Sequence, residues 1–285
     1  EGFHCKMKNN KAIFYMIISV IAFAVMNAIV KYLTAFNVYQ IVFFRAIGTL
    51  AFTLPLIIKK RIPILGNNKK LLFTRGFIGV ISLTCFFESL NYLAVGTAVS
   101  LRYTSPIFAA FFALFFLKEQ IKPIQWGLFF LAFLGVSIIK GFGIDVNTVG
   151  LLLVITSALF LGLIFVVIRK LSTKEHPLVI INYFMVMAFV FGGLMSINSW
   201  TQPNLTAWML LLSLGVFGYV GQLYMTKAFQ SDETTVIAPL KYLEVIFTII
   251  IGISWFGEMY NLWTLLGVFL ILFGLVYNMY LKKKA

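Results

Sequence analysis

The segment LRYTSPIFAAFFALFFLKE, Leu101–Glu119, recurs as LKYLEVIFTIIIGISWFGE, Leu240–Glu258, and this internal copy governs how the rest of the chain is read. A constant offset of 139 residues pairs Leu101 with Leu240, Arg102 with Lys241, Tyr103 with Tyr242, Ile107 with Ile246, Phe108 with Phe247 and Glu119 with Glu258. The same offset carries Gly135 onto Gly274 and places Gln230 opposite Asn91. In both copies a cation enters an otherwise apolar segment one residue before a tyrosine. A fixed-period repeat implies a duplicated architecture.

The solvent for that architecture follows from composition. Of the 285 residues, 61% are hydrophobic and 11% charged, far from the balance of a soluble domain. The apolar runs are long and unbroken, as helices crossing a bilayer require, rather than short and alternating as in barrel strands. Breaks at charges and at Pro, Gly or Asn delimit ten expected helices: 12–32, 38–58, 71–93, 97–117, 122–140, 148–169, 177–198, 205–226, 233–254 and 261–281. The first run is too long for the core of a cleaved signal peptide, so it is expected to stay as a span.

Charge tests this count. The net charge is +14, and a basic balance can mark a nucleic-acid binder. Here, however, 17 of the 23 Lys and Arg fall in the N-terminal tail, in every second connection and at the C-terminus. That distribution orients spans, places both termini in the cytoplasm, and argues against nucleic acid. Five spans per half is an odd number, so the second half must insert upside down. The expected fold is an all-α membrane protein of ten transmembrane helices in two inverted five-helix repeats. Residues 1–11 form a cytoplasmic tail, 12–140 the first repeat, 141–147 a connecting loop, 148–281 the second repeat, and 282–285 a basic cytoplasmic tail.

Two segments carry a resemblance: RYTSPIFAAFFALFFLKEQ with Gly127 and Gly135 following, and APLKYLEVIFTIIIGISWFGE with Gly267 and Gly274 following. Each resembles the half-repeat of the drug/metabolite transporter superfamily of EamA type. In that half-repeat, a tyrosine-bearing pore helix and a membrane-end glutamate precede a glycine-spaced last helix. One spacing departs: Gly267 lies nine residues beyond Glu258, but Gly127 only eight beyond Glu119. The resemblance implies a central cavity lined by helices one, three, four, six, eight and nine, and it implies export.

Ionisable groups inside spans cost about 2.5–3.5 kcal/mol each to insert and so nominate function. Arg102 and Lys241 occupy equivalent positions of the two halves and are candidate contacts for a substrate carboxylate or phosphate. Glu88 and Glu244 are candidates for proton coupling, or equally for internal charge partners of the two cations. Arg75 is read as snorkelling to the cytoplasmic surface, and Arg45 as doing the same or pairing with a neighbouring helix. Tyr103 and Tyr242 offer amphipathic walls, and Asn27, Asn91, Gln222 and Tyr224 neutral polar contacts. Plain interhelical hydrogen bonding would also account for these last four. Ser105-Pro106 and Ala238-Pro239 mark breaks in the pore helices.

Glu119 and Glu258 belong on opposite faces, about 30 Å apart, so they are helix-end residues rather than a catalytic pair. His4 and His176 are the only histidines, and neither a nucleophile with its base nor a metal-ligand cluster can be assembled. The expected protein is therefore not an enzyme, and has neither cofactor nor metal. It is a secondary transporter in the cell (inner) membrane, moving a small metabolite such as an amino acid or derivative by alternating access. Import, a membrane-embedded enzyme and a non-transporting membrane protein are the alternatives, and nothing in the chain specifies an oligomer.

Overall fold

The structure, a computed structural model, describes residues 2–116, 123–142, 146–171, 175–231 and 238–283. Glu119, together with Lys118, Lys122, Lys174 and Lys284, lies outside the described residues. Among the described residues there are eleven α-helices and no strand: α1 (Gly2–Tyr32), α2 (Val38–Lys59), α3 (Lys69–Ser89), α4 (Val95–Arg102), α5 (Ser105–Phe116), α6 (Pro123–Phe142), α7 (Thr148–Leu171), α8 (Pro177–Ser196), α9 (Leu205–Ser231), α10 (Leu243–Phe256) and α11 (Leu262–Lys283). Two 3-10 turns, Ile197–Ser199 and Ala238–Tyr242, complete the order.

Asparagine starts many of these helices. The side-chain oxygens of Asn37, Asn68, Asn147, Asn204 and Asn261 each accept a hydrogen bond from a backbone N–H two or three residues on, which satisfies a donor the first turn leaves orphaned.

Among the described residues, seven helical stretches are long and apolar enough to cross a membrane, and two shorter apolar stretches, Trp126–Lys140 and Leu262–Tyr277, accompany them. The expected helix over 97–117 is interrupted. Pro106 has no N–H to offer the carbonyl of Arg102, so α4 ends there and α5 begins at Ser105. The expected span over 233–254 also differs: the described chain passes from the 3-10 turn, which contains Pro239, into the 14 residues of α10.

Packing between the halves is symmetric under exchange of the repeats. The offset relates α1 to α7, α2 to α8, α3 to α9 and α6 to α11. Contact of α1 with α9 is mirrored by contact of α7 with α3, while α2 meets α8 and α6 meets α11. The equivalent helices α2 and α8 run antiparallel. Gln40 near the start of α2 bonds Thr201 beyond the end of α8, whereas Thr53 near the end of α2 bonds Asn182 near the start of α8. Likewise Gly135 of α6 touches Gly267 of α11, and Leu128 touches Gly274. At Gly135 and Gly267 any Cβ would fall 2.6 Å from the opposing carbonyl oxygen, so this crossing requires glycine on both helices.

Candidate functional site

A cavity of about 580 Å³ opens between the halves. It is lined from α1, α2, α3, the α4–α5 break, α7, α8, α9 and the turn into α10. The expected lining helices are present, joined by α2 through Arg45 and by α8 through Phe184.

Its polar centre is Glu244. This carboxylate, buried in the first turn of α10, accepts from Asn27 Nδ2 at 3.0 Å and from the Tyr103 hydroxyl at 2.7 Å. Arg102 and Lys241 lie within electrostatic reach of it. The Tyr103 ring meets the Tyr242 ring edge-on with centroids 5.1 Å apart, so the equivalent tyrosines of the two repeats touch. The Lys241 ammonium sits 5.9 Å over the Tyr103 ring.

Of the residues singled out in the sequence, Asn27, Arg102, Tyr103, Gln222, Lys241 and Glu244 line this cavity. Tyr242 is buried behind Tyr103. Tyr224 packs its ring on Tyr15 at 5.6 Å, away from the lining. Asn91 is exposed in the turn after α3, and half-buried Glu88 lies beside Cys85 rather than in the cavity. The charge acting on Arg102 is that of Glu244 on another helix, not that of Glu88.

Arg45, read as surface-seeking or as pairing with a neighbouring helix, packs on Phe87 of α3, and Arg75 departs from its reading as a surface-seeking residue. They are only 4% and 8% exposed, and both face the cavity. Three phenylalanines hold the arginines there: Phe86 faces Arg102 at 4.0 Å, Phe184 faces Arg75 at 4.4 Å, and Phe87 faces Arg45 at 5.5 Å. A guanidinium stacked this way keeps its N–H edge free for an anion. The sequence reading gave these phenylalanines no role. Their pairing with arginine on other helices was visible only once the helices were placed.

The two ends of the cavity differ. At the end carrying Lys59, Lys60, Lys69 and Lys70, the lining reaches Ile168, Glu175 and Pro177. There Glu175 accepts the N–H groups of Asn67 and Asn68 at 2.6 and 2.5 Å, tethering the start of α3. The opposite end is closed. Lys31 Nζ donates to the carbonyls of Leu90 and Leu93, both at 2.7 Å, and Glu258 accepts the Val95 N–H at 3.0 Å. Gly257, at φ +61°, ends α10 in the left-handed conformation that glycine tolerates, which turns Glu258 back onto the start of α4. Tyr260 accepts from the Gly96 N–H at 3.1 Å and donates to Glu258. Burial and that bond to the carboxylate push the Tyr260 hydroxyl above its ordinary pKa, so it stays a donor. Glu258 is thus a helix-end residue that clamps α4.

Among the described residues no group of three or more His, Cys, Asp or Glu is placed to hold a metal ion. The family described as the EamA-like transporter family matches residues 10–141 and again 148–280. The pseudopaline exporter of Pseudomonas aeruginosa is 32% identical over 253 residues, covering 87% of this chain and 89% of that protein. The S-adenosylmethionine uptake transporter of Rickettsia bellii is 26% identical, covering 95% and 94%. One crystal structure at 14% identity superposes with a TM-score of 0.68 over 96% of this chain and 98% of that one, which shows the shared fold.

Proposed function

The chain belongs to the EamA-like transporter family, and from that premise we infer that it is a secondary transporter of a small anion-bearing metabolite, an amino acid or derivative. One observation carries this reading. Arg102 and Tyr103 of one repeat meet Lys241, Tyr242 and Glu244 of the other around a single cavity, large enough at about 580 Å³ for a metabolite.

Ten crossings in two inverted repeats, 12–140 and 148–281, frame the mechanism. Supporting this topology are the two family matches and the antiparallel packing of α2 on α8 and of α6 on α11. Loop charge puts the basic end in the cytoplasm of a cell (inner) membrane. The conformation is then inward-facing, with the outer end held by Lys31 and Glu258. Substrate entering from inside places its carboxylate at Arg102 and Lys241 and an ammonium at Glu244. Rocking of the halves about the Tyr103–Tyr242 contact then transfers access to the other side. Asn27 and Gln222 supply neutral contacts, and Glu244 is the acid placed to carry a coupling proton.

Export is the favoured direction, supported by the pseudopaline exporter; the S-adenosylmethionine uptake relative supports import as the second reading. Purified protein in liposomes, assayed for counterflow of labelled amino acids and derivatives, tests the proposal. Flux that depends on the trans substrate and is lost in Arg102→Ala supports it. Absence of flux for every compound, from protein shown to be folded, refutes it.

A further inference from the structure

Among the described residues, the cavity carries more positive charge than its own carboxylates offset. Four cations line it, Arg45, Arg75, Arg102 and Lys241, against two acids. Glu175 already takes two backbone N–H groups, and Glu244 faces Arg102 and Lys241. That leaves Arg45 and Arg75. The charges acting on Arg45 are those of Arg75 and Arg102, all of like sign. Nε and Nη1 of Arg45, and Nε and Nη1 of Arg75, are buried without a hydrogen-bond partner. The same phenylalanine, Phe184, lies 6.0 Å from one guanidinium and 4.4 Å from the other, holding both around one ring.

Buried, unpaired guanidinium groups are costly, and an anion held by their N–H groups removes that cost. Glu244 and its neighbours suffice for an amino-acid head group, carboxylate on Arg102 and Lys241, ammonium on Glu244. They leave the Arg45–Arg75 pair unanswered. Resting on the transporter reading above, we propose that Arg45 and Arg75 form a second anion subsite, so the substrate is an amino acid or amino-acid derivative bearing a second carboxylate. The first subsite recognises the shared head group, and the second discriminates by the distal acid.

Matched probes test this on the full chain in lipid nanodiscs. L-Glutamate and L-glutamine differ only in the distal charge, and binding is followed by ligand-induced thermal stabilisation and titration calorimetry. Glutamate is expected to bind at least about tenfold more tightly than glutamine, as one charged contact warrants. The preference should collapse toward one in Arg45→Gln and in Arg75→Gln and persist in part in Arg45→Lys, which keeps the charge if the glutamine variant fails to fold. Arg102→Gln should weaken both probes equally. Equal binding of the two probes by the wild type, or a preference that survives in both glutamine variants, overturns the second subsite while glutamine flux still upholds the transporter. Inorganic phosphate that competes as well as glutamate marks the pair as a general anion site and also overturns the proposal. Binding of no probe, with no flux in liposomes, defeats this inference and the transporter reading together.

Discussion

The two copies of the repeated segment start from nearly the same residues and end in different work. In the first, Arg102 and Tyr103 close α4, and the chain restarts as α5 with a buried serine, Ser105. In the second, Lys241 and Tyr242 close a 3-10 turn and α10 follows, with Glu244 where the first copy has Ser105. The shared tyrosines meet each other, whereas the unshared residue provides the carboxylate on which Asn27 and Tyr103 converge. Duplication places paired groups at the centre of the molecule, and divergence at one position makes that centre chemically one-sided.

The sharpest way to break this asymmetry is to remove Glu244. Glu244→Ala strands the Asn27 donor, leaves the Tyr103 hydroxyl only the Lys241 carbonyl at 3.1 Å, and leaves Arg102 and Lys241 without their carboxylate. We expect a loss of about 3 kcal/mol in unfolding measured in nanodiscs, with transport abolished. Glu244→Gln, which keeps an acceptor, should recover much of the stability and little of the flux.

Next come the paired cations. Arg102→Ala should weaken substrate binding by about 10–100-fold, the value of a hydrogen bond to a charged group. Lys241→Ala should cost less, about tenfold, because a flexible ammonium over a ring makes a less directional contact than a stacked guanidinium. Equal losses in a binding titration would show that the copies contribute alike.

The third comparison concerns the clamp. Glu258 holds the first N–H of α4, and Glu258→Gln should weaken that cap by about 1 kcal/mol. The population open at the clamped end should rise about fivefold. Labelling of Thr97→Cys by an impermeant maleimide, with Cys5 and Cys85 replaced by serine, would report it; an unchanged rate would show that Lys31 and Tyr260 keep the end shut without the Glu258 charge.

The smallest effect is at His176, whose Nδ1 accepts the Leu178 N–H at 3.2 Å to cap α8. Burial, and then the Lys60 charge, lowers its pKa below the ordinary value of about 6.5. The folded state therefore resists a proton that the unfolded chain accepts. This stability is present above about pH 6.5 and is lost as pH falls through the lowered folded pKa. His176→Asn, which caps without titrating, should flatten that part of the melting-temperature profile.

Much of the molecule was legible in its residues. Apolar length and asparagine, proline and glycine punctuation located the helices, because backbone groups in a bilayer must be satisfied within each segment. The break at Ser105-Pro106 followed from a missing donor. Sequence depth also nominated Arg102, Tyr103, Lys241 and Glu244. It could not separate Glu88 from Glu244, since both lie within apolar segments and only rotation about the helix axis turns one of them into the cavity. Nor could it keep Arg75 from the surface, because a long side chain six residues into a helix reaches water or the interior according to which helix packs beside it.

The sequence by itself determined that the chain is membrane-embedded and duplicated: hydropathy and a constant offset are properties of residue order alone. Only the tertiary structure decided which charges share a space. Arg45, Arg75 and Arg102 come from three different helices and acquire a common environment through the packing of Phe86, Phe87 and Phe184. Electrostatic energy depends on distance and burial, and neither is set until helices from both repeats close around the cavity.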